Sequence, residues 1–151
     1  MSMAAIDTEA RTLRMERDFR APPEAVFDAF TDPAQAVKWW GPHGMEVPEI
    51  ELNAHEGGPW RTAMVGADGV RYTVVGTYKV VERPNRLVYT WRWTEGAEMD
   101  EDTTVDLTFT KIEGGTRLSL VHSLFDSEAN RDDHGEGWGS TFDCLAEFLA
   151  H

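Results

Sequence analysis

The closing stretch from His134 to His151, HGEGWGSTFDCLAEFLAH, constrains the chain most. Trp138, Phe142, Leu145 and Leu149 recur at intervals of four, three and four, which stacks them on one stripe of a helix with a 3.6-residue period. Thr141 and Phe148 widen that stripe, while Glu136, Ser140, Asp143 and Glu147 fall on the other side. The spacing predicts a helix over 134–151 with one face on a core and the other in water. The residues upstream have mainly the period of strands, so the core must be supplied by a sheet.

In chain order, residues 1–9 read as a flexible leader and 10–151 as a single domain. From Thr12 to Arg20, Leu13, Met15 and Phe19 alternate with Arg14, Glu16, Asp18 and Arg20, the period of a half-buried strand. Ala21-Pro22-Pro23-Glu24 ends it and starts a helix, since proline is tolerated in a first helical turn and glutamate there complements the dipole. Val26, Phe27 and Phe30 give this helix a buried face, and Asp32-Pro33 starts a second short helix that Gly41-Pro42 breaks. Six strands then follow: Met45 to Leu52, Trp60 to Val65, Val70 to Val81, Arg86 to Thr94, Thr103 to Ile112 and Thr116 to Leu124. Strands joined by such short turns, with no helix between them, form an antiparallel meander.

Alternation assigns the faces. Tyr72, Val74, Gly76, Tyr78 and Val80 share one side of their strand, and Leu87, Tyr89, Trp91 and Trp93 share one side of the next. Val105, Leu107 and Phe109, then Leu118, Leu120 and His122, continue it, whereas Arg71, Thr73, Thr77 and Lys79 mark the solvated side. One apolar sheet face and one amphipathic helix make an α+β architecture, a curved antiparallel sheet wrapped around a long C-terminal helix, with two short helices after the first strand.

Charge then narrows the function. Lys+Arg 14 against Asp+Glu 27 leaves a formal net charge of -13, which excludes nucleic acid and anionic membrane as main partners. No apolar run is long enough to span a membrane, and the first residues lack the features of a secretory signal, so the cytoplasm is the expected location. The single cysteine, Cys144, permits no internal disulfide and reads as a packing residue at the edge of the helical stripe.

The converging rings carry the functional question. Trp60, Met64, Tyr72, Tyr89, Trp91, Trp93 and His122 from the sheet, with Trp138 and Phe142 from the helix, either interdigitate into a solid core or wall a ligand cavity. Trp39 is a further candidate ligand-binding residue, at a mouth shared with Trp40 and the loop from Glu95 to Asp102. That loop, with Glu95, Glu98, Asp100, Glu101 and Asp102, reads as a mobile acidic surface segment. His122, alone among the histidines on the inner face, is the weak catalytic candidate; a general base there needs a tyrosine or carboxylate partner, and a hydrogen-bonded core histidine is the simpler reading. His134, near Asp132, Asp133 and Glu136, reads as a solvated cap rather than a metal ligand, so neither a metal nor an organic cofactor is expected. Gly135, Gly137 and Gly139 are open between close packing, a later helix start and a yielding entrance to the cavity. No phosphate loop, dinucleotide fingerprint or nucleophile elbow is present.

The segment from Ala21 to Pro33 (APPEAVFDAFTDP), followed by Lys38-Trp39-Trp40-Gly41-Pro42, resembles the start of the domain shared with the activator of Hsp90 ATPase. That domain, AHSA1-like, falls within the START/Bet v 1-like (SRPBCC) helix-grip superfamily. Gly76-Thr77-Tyr78, Arg86-Leu87-Val88, Gly115-Thr116-Arg117-Leu118 and Gly137-Trp138 extend the resemblance through nearly the whole chain. It implies a bent sheet gripping a C-terminal helix, and a small-molecule binder as the first functional reading: a small, largely apolar, aromatic or polycyclic ligand between sheet and helix. The alternatives it implies are a cyclase or hydrolase in the same cavity, and a chaperone-interaction or stress-response module. The eukaryotic namesake carries a further amino-terminal domain for which this chain has no room, so Hsp90 binding rests on analogy of fold alone. A homodimer is left open.

Overall fold

A computed structural model describes residues 9–97, 99 and 101–150. Most of the leader, residues 1–8, and Glu98, Asp100 and His151 lie outside the described residues. Strand β1 (Leu13–Phe19) leads into helix α1 (Pro23–Thr31) and the single-turn helix α2 (Pro33–Ala36). Both start on proline, and Asp32 caps α2 by accepting the Ala34 amide N–H. Strands β2 (Glu46–Leu52), β3 (Pro59–Val65), β4 (Arg71–Glu82), β5 (Arg86–Glu95), β6 (Thr103–Ile112) and β7 (Gly115–Ser123) follow, then the long helix α3 (Glu128–Leu149).

The seven strands form one antiparallel sheet in the order β1-β7-β6-β5-β4-β3-β2, a meander with β1 returned to pair β7. Register carries the inward face straight across it. Leu13, His122, Val105, Tyr89 and Tyr78 are opposite one another on successive strands, as are Met15, Leu120, Leu107, Leu87 and Val81. The sheet curls around α3, which buries Trp138, Thr141, Phe142 and Leu145 against it. This is the helix-grip arrangement.

Four local expectations are corrected. Tyr78 pairs with Tyr89, but Val80 pairs with the neighbouring Val88, so a bulge at Lys79 shifts the face by one residue. Val81, rather than Val80, therefore packs on the core. Thr73, expected on the solvated side, is buried and donates its hydroxyl to Glu95 at 2.8 Å. Helix α3 begins not at His134 but at Glu128, where the Ser127 hydroxyl accepts the Asn130 N–H at 3.1 Å. The acidic loop also shrinks, because Glu95 ends β5 and Asp102 pairs with Arg92 at 3.4 Å.

The glycines of α3 divide by what lies beside them. A Cβ on Gly135 would meet Leu13 at 3.2 Å and one on Gly139 would meet Met15 at 3.9 Å, so these two let α3 lie close on β1. Gly137 has nothing within 4 Å of that position. Gly76 is the opposite case: a Cβ there would stand 1.9 Å from the Thr90 carbonyl oxygen and 2.3 Å from the Trp60 indole nitrogen, which itself donates to that oxygen.

Two alanine substitutions should therefore move stability in opposite directions. Gly76→Ala must displace backbone or Trp60 and is expected to cost at least about 1–3 kcal/mol. Gly137→Ala lies mid-helix with room around it and is expected to stabilise by up to about 1 kcal/mol. Urea unfolding of the two variants beside wild type checks both signs.

Candidate functional site

The interior is not filled. A cavity of about 260 Å³ lies between the β3–β5 part of the sheet, the N-terminal half of α3 and the segment after α2. Trp40, Trp91, Trp93, Trp138, Tyr72 and Met64 wall it, while Gly41 and Pro42 on one side and exposed Ala97 and Asp133 on another form its rim. Trp91 sits at the centre of the wall. Its ring lies 6.1 Å from Trp40, 5.4 Å from Trp93 and 5.3 Å from Trp138, at angles from 41° to 90°. Bulky rings in edge and tilted contact hold the helix off the sheet here, and Gly137 leaves the space beside them unfilled.

Two histidines fasten the walls. The Trp138 indole N–H can only donate, so His122 Nδ1, 3.1 Å away, must accept. His122 Nε2 then carries the proton and donates to Thr103 Oγ1 at 2.8 Å, and that hydroxyl donates to the Trp91 carbonyl at 2.7 Å. In the second pair, the Trp93 indole N–H donates to His134 Nε2 at 2.8 Å, and His134 Nδ1–H donates to the Asn130 carbonyl at 2.8 Å. The two imidazole centroids are 5.4 Å apart, with Phe125 stacked 4.3 Å from one and 4.7 Å from the other. Burial, and secondarily the nearby His134, pushes the His122 pKa well below its ordinary 6.5; burial also lowers that of His134, against opposing contributions from Asn130, Asp133 and Asp126.

The sequence-predicted residues separate accordingly. Met64, Tyr72, Trp91, Trp93 and Trp138 come together at the cavity. Trp60, Tyr89 and Phe142 lie in the packed core behind it. Trp39 is not at the mouth: it is buried, 4.7 Å from Phe30, with its N–H donated to Ala29, and its neighbour Trp40 takes the cavity position with its own N–H on Thr62. His122 is a core histidine with both nitrogens engaged and no tyrosine or carboxylate partner, which leaves it no lone pair for a general base. His134 is not a solvated cap; it faces inward, one helical turn before Trp138, and that i, i+4 spacing is the signal that could have placed it. Trp40, expected at the mouth, is part of the wall, and Phe125, Asn130 and Asp133 carried no expectation as ligand-site residues. Cys144 is half-buried against the core, where burial raises its thiol pKa. Among the described residues, no group of three or more His, Cys, Asp or Glu side chains is placed to hold a metal ion, and no helix is long and apolar enough to cross a membrane.

A family model described as Activator of Hsp90 ATPase homolog 1-like protein matches residues 20–150. Among solved structures, the AHSA1 protein from Silicibacter pomeroyi is 34% identical, with a TM-score of 0.84 over 92% of this chain and 97% of that one. A protein from Chromobacterium violaceum is 28% identical, with a TM-score of 0.81 over 92% and 97% of the two chains. One from Rhodobacter sphaeroides is 27% identical, with a TM-score of 0.80 over 93% of each. No curated protein matches the sequence.

The histidine pairs set a pH dependence. Because both native imidazoles are held below the ordinary 6.5, the unfolded chain takes up these protons first as pH falls. Their contribution is therefore complete above about pH 6.5 and is lost progressively below it, toward the native values. Urea unfolding at pH 7.5, 6.5 and 5.5 is expected to show stability falling through that window. A flat profile would contradict the assigned bonds.

Proposed function

The chain belongs to the Activator of Hsp90 ATPase homolog 1-like family, and from that premise we propose that it is a binding protein for a small, largely apolar, aromatic molecule held between sheet and α3. The observation that carries this reading is the cavity of about 260 Å³ in an otherwise close-packed, ring-rich interior. An open, largely apolar pocket walled by four indoles with few polar groups is the usual form of a small-molecule site. It falls just under the range of about 300–1,000 Å³ for drug-sized ligand pockets, which favours a body of two or three fused rings. Met64 adds a polarizable wall that adapts to shape. The acidic composition and the absence of a membrane-crossing helix among the described residues are compatible with a cytoplasmic binder. A cyclase or hydrolase using His122 has little support, because that ring offers no free nitrogen. Surface docking on a chaperone has little too: the exposed large apolar side chains among the described residues are Val37, Val70 and Leu124, from three separate segments.

N-phenyl-1-naphthylamine, a neutral probe that brightens in apolar surroundings, tests the proposal. Wild type is expected to bind it with one-to-one stoichiometry. Gly137→Leu, which places a branched side chain into the open space by the cavity, is expected to lose most of that signal while keeping the wild-type circular dichroism. No brightening with wild type, or equal brightening with the variant, would count against the cavity as the site.

A further inference from the structure

The polar atoms around the cavity are unbalanced, and the imbalance says what charge the occupant carries. Three of the four wall indoles spend their N–H inside the protein: Trp40 on Thr62, Trp93 on His134 and Trp138 on His122. The fourth, on Trp91, has no partner among the described residues and is sealed from solvent, so it offers the cavity nothing either. Both histidines are neutral and fully engaged. The Thr141 hydroxyl is donated to the Gly137 carbonyl, and Asn130 gives an amide hydrogen to Asp126. Among the described residues, no lysine or arginine lines the space.

What remains is π surface, the Tyr72 hydroxyl, the second amide hydrogen and the carbonyl of the Asn130 side chain, and the Asp133 carboxylate, which has neither a hydrogen bond nor an ion pair among the described residues. Cations in nearby sequence are already taken. Arg131 pairs with Asp132 at 2.8 Å, Arg92 with Asp102 at 3.4 Å, and Arg71 with Glu49 at 2.7 Å and Glu95 at 3.4 Å. An anionic ligand would leave water for a donor-poor hollow beside an unpaired carboxylate, with only the Tyr72 hydroxyl and one Asn130 amide hydrogen, both neutral donors, to replace its hydration. A cation has the opposite prospect: indole faces attract positive charge, most strongly when it is desolvated, and a chain of net charge -13 draws cations toward it.

We propose that the cavity takes an organic cation, an apolar or aromatic body bearing a protonated or quaternary amine whose charge meets the indole faces and Asp133. This rests on the reading of the cavity as a binding site, and adds the sign of the ligand's charge. Three probes sharing one ring system separate the two ideas: 1-naphthylmethylammonium, 1-naphthylmethanol and 1-naphthoate, titrated calorimetrically into wild type and Asp133→Asn at low ionic strength. The ammonium is expected to bind about tenfold more tightly than the alcohol, and naphthoate most weakly. Asp133→Asn is expected to weaken the ammonium about threefold and leave the alcohol unchanged, as suits an exposed, solvent-screened charge. An alcohol that binds as tightly as the ammonium, or a naphthoate that binds better than either, would overturn the charge assignment while leaving the cavity reading intact. If none of the three binds, both fall.

Discussion

The fold depends on the hydrogen bond from the Trp138 indole N–H to His122 Nδ1, because it joins the middle of the terminal helix to the inner face of the sheet. Everything near it follows from the need to keep that imidazole neutral. His122 is fully buried, and a charged ring there would face an indole donor instead of offering it a lone pair. Thr103 Oγ1 accepts the Nε2–H hydrogen bond and donates its own hydrogen to the Trp91 carbonyl, so the chain of donors runs from helix α3 through β7 and β6 to β5 without an unmet group. The Trp93–His134 pair repeats the device nearer the rim, returning from the sheet to the helix. Two polar links in an apolar interior fix how deep and at what rotation the helix lies, which hydrophobic burial alone specifies poorly.

The cavity is the consequence. Trp91 cannot approach Trp40, Trp93 and Trp138 more closely than ring-to-ring contact, and the histidine links hold two of those rings upright. On the β1 side, small Gly135 and Gly139 let the helix settle against Leu13 and Met15. On the other side, Gly137 contributes no side chain to fill the gap that the rings prop open. Close packing along one flank and a propped hollow along the other come from the same turn and a half of helix.

Much of this was legible in the residues. The alternation from Tyr72 to His122 placed Val105, Leu107, Leu118 and Leu120 inside, and the spacing of Trp138, Phe142 and Leu145 gave the gripped helix. The errors have local causes. A bulge at Lys79 exchanged Val80 for Val81, which no period-two pattern can anticipate. Adjacent Trp39 and Trp40 are equally apolar, and only the turn after α2 decides that Trp40 meets the cavity while Trp39 bonds Ala29. Trp60, Tyr89 and Phe142 face inward as expected, but inward positions in a curved sheet divide between solid core and hollow according to depth, which alternation does not record. His134 was obscured by its acidic neighbours, and Phe125 by its place after a left-handed Leu124 at φ 74°.

The central claim is that two neutral imidazoles accept indole protons and thereby set the helix on the sheet. Nitrogen-15 NMR of the histidine rings and tryptophan indoles at neutral pH tests it most directly. The account predicts His122 as the Nε2–H tautomer and His134 as the Nδ1–H tautomer, each with a through-bond coupling across the indole hydrogen bond from Trp138 and Trp93. A charged imidazolium at either position, the opposite tautomers, or rapidly exchanging indole protons on those two tryptophans would contradict it.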